Sequence, residues 1–349
     1  MKKFESIAVA EETHIGIARR IIRRYASETG FTDRQLAEIE IAINEMGSNA
    51  IKFARGTGQF FFARIDPELE PAGLEIIYTD KGPGILDPEV AVEDGFTTSG
   101  TMGAGLGAIK RMADEFYIYS NVQRQTRKLA PYGRTTHGTA IVFRKNVEGA
   151  EDLKRRKALW GAMTRPSAGF EENGDAYVIK RYGDRQLLAI IDGLGHGLGA
   201  LQAAQEAVGV IESCGAQPVE SIIRATHEAL RPTRGAVLGL AAIDCRTGAL
   251  EYAGIGNTDF RALGGRAPIR LISLNGTLGS RLDRVKVFKE QLPKVATIIM
   301  STDGISERWD ADSYPGLLGL HPQLLCAVVM RDYGRTNDDA TILCGRLSF

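Results

Sequence analysis

The chain has 349 residues, too many for one typical core and suited to two domains. Its 44% apolar and 25% charged residues are ordinary for a water-soluble globular protein. The 43 basic and 43 acidic residues cancel, which excludes a global field drawing the chain to nucleic acid or to an anionic membrane. Cys214, Cys245, Cys326 and Cys344 are far apart in apolar segments and read as reduced, buried thiols rather than a metal knuckle. No apolar run nears the roughly 18 residues that span a bilayer, and no secretory h-region follows the N-terminus, so a cytoplasmic protein is expected.

In chain order, residues 4–10 read as a short strand. Residues 12–28 read as an amphipathic helix carrying His14 as a surface or packing residue. Thr32-Asp33-Arg34-Gln35 fits a capping box, and Leu36, Ile39, Ile43, Met46 and Ala50 form the apolar stripe of the helix that it opens. Glu45 and Asn49 share another face of that helix, about 40° apart. They are either a solvated polar face or a carboxylate and carboxamide serving Mg²⁺ and a water. Residues 59–65 and 73–79 read as strands, and the second runs into Asp80-Lys81-Gly82-Pro83-Gly84-Ile85. A carboxylate presented there could accept a hydrogen bond from the exocyclic amine of adenine.

The stretch Asp94–Phe116 passes from a turn through a Gly-rich run into a periodic segment, with Leu106, Ile109, Met112 and Ala113 on one face. Such a run is most often only a loop, but free N–H groups at a helix N-terminus also suit phosphate. Strands near 115–121 and 139–144 complete the first half, the second led by Gly138-Thr139.

The Glu45-to-Asn49 spacing, DKGPGI and TMGAGLGAIKRMADEF together resemble the N-, G1- and G2-boxes of the GHKL ATPases, over roughly residues 4–145. Within that superfamily they look like the small anti-sigma-type Ser/Thr kinases of the RsbT-like branch. The resemblance implies that Asn49 coordinates Mg²⁺, that Glu45 activates the attacking hydroxyl and that Asp80 reads adenine. Gly82 and Gly84 would shape the pocket. Thr98 would belong to a lid over ATP (Thr97–Thr101), Gly103, Gly105, Leu106 and Gly107 to the phosphate cradle, and Thr139 would close the adenine end. These roles suit phosphoryl transfer, which needs mainly charge neutralisation and alignment.

Residues 145–157 are polar and charged, so domains 1–147 and 157–349 are expected around a linker at 148–156. Strands are expected at 158–164, 176–182 and 186–191, the last ending in Asp192-Gly193-Leu194-Gly195-His196-Gly197. Helices follow over about 198–213 and from Pro218, a favoured first helical position. Further strands lie near 236–243, 248–255, 259–264, 284–290 and 295–301, then a helix at about 321–332 and a closing strand. Asp175, Asp192, Asp303 and Asp338 all stand where strands meet loops. They are either turn residues or an oxygen-rich site for hard divalent cations.

GDAY, DGLGHG, STDG and DDATIL, in that order, resemble the metal-binding motifs of the PPM-type Ser/Thr phosphatases, with the SpoIIE/RsbX-like branch nearest. AGIGNTDF (Ala253–Phe260) is similar to a further segment of that branch. The resemblance implies Asp175, Asp192, Asp303 and Asp338 as ligands of two Mn²⁺ or Mg²⁺, with the Gly193 carbonyl on one ion, Asp192 central to catalysis and Asp339 the ambiguous member of its pair. The ions would activate a water for in-line attack on phosphoserine or phosphothreonine. His196 is either an exposed helix-start residue or a proton donor; Arg165 stands in the approximate region where eukaryotic members carry a phosphate-gripping arginine, but no motif aligns it with that residue.

Together the resemblances imply an α+β chain of two domains, a GHKL (Bergerat) α/β sandwich followed by a PPM-type αββα sandwich. ATP and Mg²⁺ would serve the first. The implied activity is phosphorylation of a STAS-domain or stressosome-type partner and its reversal, with a sigma factor or an activator phosphatase as further partners. The alternative is an ATP-gated switch that sequesters a sigma factor or an activator, attached to a phosphatase.

Overall fold

The computed structural model describes residues 3–65, 71–93, 105–122, 137–149 and 158–349. The chain divides into two compact units, Lys2–Arg155 with Asp310–Leu320, and Arg156–Trp309 with His321–Phe349. No helix among the described residues is long and apolar enough to cross a membrane.

In the N-terminal unit the order is β1 (Glu5–Val9), α1 (Glu12–Ser27), α2 (Asp33–Ala54), β2 (Gly58–Ile65), β3 (Gly73–Thr79), α3 (Pro88–Ala91), α4 (Gly105–Met112), β4 (Glu115–Asn121) and β5 (Gly138–Asn146). The strands form one antiparallel sheet, β1-β2-β3-β5-β4. Helix α2 begins where the sequence places it. Thr32 Oγ1 accepts from Gln35 N while the Gln35 side chain accepts from Thr32 N, a reciprocal capping box. Its stripe of Leu36, Ile39, Ile43, Met46 and Ala50 is buried against Phe60, Phe62, Ile76, Ile141 and Phe143, alternate residues of β2, β3 and β5. Periods of 3.6 and 2 thus meet in a single core. His14 accepts a hydrogen bond from Ala10 N (3.2 Å) at the start of α1, a local capping role.

The second unit runs β6 (Ala158–Arg165), β7 (Asp175–Tyr182), β8 (Arg185–Gly193), α5 (Leu198–Ser213), α6 (Val219–Ala229), β9 (Ala236–Asp244), β10 (Ala249–Ile255), β11 (Asp259–Leu263), β12 (Ile269–Leu271), β13 (Phe288–Gln291), β14 (Val295–Ser301), α7 (Pro322–Tyr333) and β15 (Ala340–Ser348). Two antiparallel sheets result, β13-β10-β9-β8-β7 and β12-β11-β14-β15-β6. Strand β8 explains the layering. Leu187, Ala189 and Ile191 pack with α5 and α6, while Leu188 and Ile190 meet Phe260, Ile298, Met300 and Leu343 of the other sheet. Buried on both faces, it reads as one continuous apolar run. Helix α7 covers the second sheet and secures its edge: the Gln323 side chain accepts from Ala162 N (3.0 Å) and donates to Ala162 O (2.9 Å) on β6. The αββα sandwich expected from the sequence is present.

Two expectations need correction. Pro218 is the N-cap, and α6 starts one residue later. The strand expected at 284–290 begins only at Phe288, because Leu282, Val285 and Val287 bury their side chains against the first core without pairing their backbone. Strand β12 and the short α3 carry too few periodic residues to be seen in advance.

Candidate functional sites

In the N-terminal unit, α2 carries Glu45 and Asn49 half-buried on one face. Sixty residues further on, α4 starts at Gly105. A Cβ at residue 105 would lie 2.9 Å from Glu45 Oε2, so the carboxylate stands against the first residue of that helix and glycine makes room for it. Gly107 is buried in the same turn. The Leu106 side chain instead packs against the hydrophobic core, so only its backbone remains for a ligand. Thr98, Gly103 and the Thr97–Thr101 lid lie outside the described residues.

Asp80 follows β3 and is buried. Its Oδ1 accepts from Gly82 N (2.8 Å) and Thr139 N (3.2 Å), and its own N–H donates to Thr139 O (2.9 Å). One carboxylate therefore staples the Asp80–Gly84 turn to the start of β5. Gly84 has φ of +82°, and a Cβ there would come within 2.2 Å of Asn121 O, so the turn admits only glycine. The buried Thr139 hydroxyl pairs with Ser120 Oγ at 2.9 Å. Sequence reading missed His137, whose Nδ1–H donates to Gly82 O at 2.5 Å and clamps the same turn from the other side.

At one end of the sandwich, Asp175 and Asp192 are directly opposed on β7 and β8. Asp303 follows β14 and Asp338 precedes β15. Burial, then the charge of Asp192, raises Asp175 well above the usual carboxylate range. Asp192 is pushed up to about 7, by burial first and then by Asp303, Asp338 and Asp339. Asp303 is raised by burial and by Asp338, and Arg335 partly offsets this. The four aspartates thus share one electrostatic space. Among the described residues, no three Asp, Glu, His or Cys side chains stand close enough to hold an ion as they are. The donor set nevertheless fits hard cations: Asp175 Oδ1 is a buried oxygen with no hydrogen-bond partner, and the mutual repulsion is what a divalent ion would relieve.

The Asp338-Asp339 pair divides its labour. Asp339 is 4% exposed, and its two oxygens accept from Ser167 N (2.7 Å) and Gly174 N (3.0 Å). Asp338 is 32% exposed and is the member available to a ligand. Gly193 donates to Gly174 O (3.0 Å), and a Cβ on it would meet Ala200 O at 2.2 Å. His196 is exposed on the rim, with Nδ1 3.6 Å from Asp339 and 3.9 Å from Asp338. Arg165, at the end of β6, donates to Arg335 O; burial lowers its pKa and the charge of Asp339 opposes this. Two positioning groups escaped the sequence reading. Asn257 donates to Asp303 Oδ2 (2.6 Å) and Thr302 donates to Asp175 Oδ2 (2.7 Å). Their signals were the place of Thr302 next to Asp303 and of Asn257 within AGIGNTDF.

Comparison with known proteins follows this division. The histidine kinase-like ATPase domain family matches residues 8–128, and the stage II sporulation protein E (SpoIIE) family matches residues 182–348. The serine/threonine-protein kinase RsbT of Bacillus subtilis is 40% identical over 114 residues, 33% of this chain and 84% of that protein. The phosphoserine phosphatase RsbX of the same organism is 26% identical over 135 residues, 38% of this chain and 67% of that protein. A solved chain described with the bacterial stressosome, "a modular system that has been adapted to control secondary messenger signaling", is 30% identical. That match covers 55% of this chain and all of the other, with a TM-score of 0.53. The chain belongs to the RsbT family of serine/threonine-protein kinases, and carries after that domain a second one that matches the SpoIIE family.

Proposed function

We propose that this chain both writes and erases one phosphoryl mark, phosphorylating a serine or threonine on a STAS-domain partner and removing it from the same or a related partner. The observation that carries the reading is that both halves keep their chemistry, Glu45 against the first residue of α4 and four aspartates at one end of the sandwich.

In the kinase half, Asp80 and Thr139 would receive the adenine of ATP in a turn that Gly82 and Gly84 keep tight. Asn49 would hold Mg²⁺, which supplies charge neutralisation on the phosphates. Gly103, Gly105 and Gly107 would offer backbone N–H groups, with Thr98 closing over the nucleotide. Glu45 takes the proton of the attacking hydroxyl as the new O–P bond forms and the bond to ADP breaks.

In the phosphatase half, Asp175, Asp192, Asp303 and Asp338, with the Gly193 carbonyl, would hold two Mn²⁺ or Mg²⁺. Such a pair supplies an activated water and neutralises the phosphate. Thr302 and Asn257 orient two of the carboxylates, and Asp339 fixes the loop that carries Asp175.

Transfer from labelled ATP to a purified STAS-domain protein tests the two halves separately. Asn49→Ala should abolish labelling and leave Mn²⁺-dependent dephosphorylation intact, and Asp192→Ala should do the reverse. Retention of full Mn²⁺-dependent hydrolysis in Asp192→Ala would sink the metal assignment. Stable capture of a sigma factor in the presence of non-hydrolysable ATP, without turnover of any STAS serine, would favour the switch instead.

A further inference from the structure

A closed ring of hydrogen bonds, buried except around Asn173, begins and ends on Asp175. The Asp175 N–H donates to Asn173 Oδ1 (2.9 Å), and Asn173 Nδ2 donates to Thr164 Oγ1 (2.5 Å). The Thr164 and Thr341 hydroxyls pair at 2.6 Å across β6 and β15, where the two residues are register partners. Thr341 N donates to Thr302 Oγ1 (3.0 Å), and Thr302 returns to Asp175 Oδ2 (2.7 Å). Thr164, Thr302, Thr341 and Asp175 are all at most 7% exposed.

Donor arithmetic gives the ring a direction. The Thr302 hydroxyl has a single proton, and it goes to Asp175 Oδ2 at 2.7 Å rather than to the Thr341 carbonyl at 3.5 Å. The Thr302 oxygen is then left to accept from Thr341 N. One oxygen of Asp175 is thereby tethered and the other, Oδ1, is left buried without a partner. Threonine is β-branched and stiff at χ1, so the tether carries little rotational freedom. The ring also crosses the sandwich: Thr164, Thr341 and Thr302 belong to strands of the second sheet or their ends, and Asp175 to the first.

We propose that Thr302, Thr341 and Thr164 form a positioning relay that rotates Asp175 so that Oδ1 is presented to a divalent cation. The inference rests on the metal-dependent phosphatase reading and deepens it by naming what aligns one ligand. These threonines are positioning residues; none touches substrate.

Calorimetric titration of the full chain with Mn²⁺ tests the relay, with circular dichroism reporting the fold. Thr302→Val keeps the shape and removes the hydroxyl; it should weaken Mn²⁺ binding by roughly 10- to 100-fold, the usual effect of losing an outer-shell partner. Thr302→Ser keeps the hydroxyl and should bind within about threefold of the parent, and Thr164→Val, one link further away, should lose less than Thr302→Val. Parental affinity in a folded Thr302→Val, or equal losses in the Ser and Val variants, would overturn the relay. If Thr302→Val does not fold, Thr164→Val decides: unchanged Mn²⁺ affinity there overturns the proposal as well. Absence of Mn²⁺ binding by the parent chain is a different result, because it removes the phosphatase reading itself.

Discussion

Two buried charge clusters, one in each half, are built in opposite ways. In the N-terminal sheet, Arg144 on β5 stands between its register neighbours Glu75 on β3 and Glu115 on β4, at 2.7 and 3.0 Å; Arg144 is 2% and Glu75 0% exposed. At one end of the sandwich, carboxylates face carboxylates, and Asp192 is pushed up to about 7 by burial first and then by the charges of Asp303, Asp338 and Asp339. A buried charge with its partners in place is architecture. Like charges held together at the cost of stability mark a site built for a cation.

The comparison breaks first at Arg144. Arg144→Ala leaves Glu75 buried without its cation and should cost about 3–5 kcal/mol in urea unfolding of the N-terminal unit. A loss below about 1 kcal/mol would mean that the pair is not structural. Second, the sandwich should be stabilised by the cations it lacks partners for. Mn²⁺ at a hundred times its dissociation constant should add about 2.7 kcal/mol to the phosphatase unit. EDTA should remove that gain without altering the melting of the kinase unit, and an unchanged melting curve would show that the aspartates bind no metal.

Third, Gly105→Ala places a Cβ against the Glu45 carboxylate, the mobile end of a side chain, so the fold should survive while the carboxylate moves. Phosphoryl transfer should then fall roughly 10- to 100-fold, and full activity would argue against Glu45 acting at this position. The smallest effect is expected at the capping box. Thr32→Ala should cost about 1 kcal/mol by thermal unfolding and leave both activities unchanged, which separates helix stability from the site on the same helix.

How much could be read in advance differed by scale. The α2 stripe and its cap, the apolar runs of β8 and β9, and the acidic strand ends were all legible, because each rests on a contiguous side-chain pattern or on a local hydrogen bond. Where local signals were weak the expectation failed: Val285 and Val287, inside the strand expected at 284–290, pack as an irregular segment. The Leu106 side chain packs on the core with Ile109 and Met112, as the apolar face of that stretch suggests.

The sequence by itself determined the elements, their order and the residue types able to carry phosphoryl chemistry, since those follow from side-chain pattern and from motifs contiguous in the chain. Only the tertiary structure decided which oxygens are available. Asp338 and Asp339 are neighbours of the same type, yet backbone amides from Ser167 and Gly174 occupy one and leave the other to a ligand. Thr302 and Thr341 stand inside motifs and Thr164 in none, but that the three act together is visible only where strand ends meet around Asp175. A hydrogen bond depends on distance and direction between groups as many as 177 positions apart, and no local pattern encodes that.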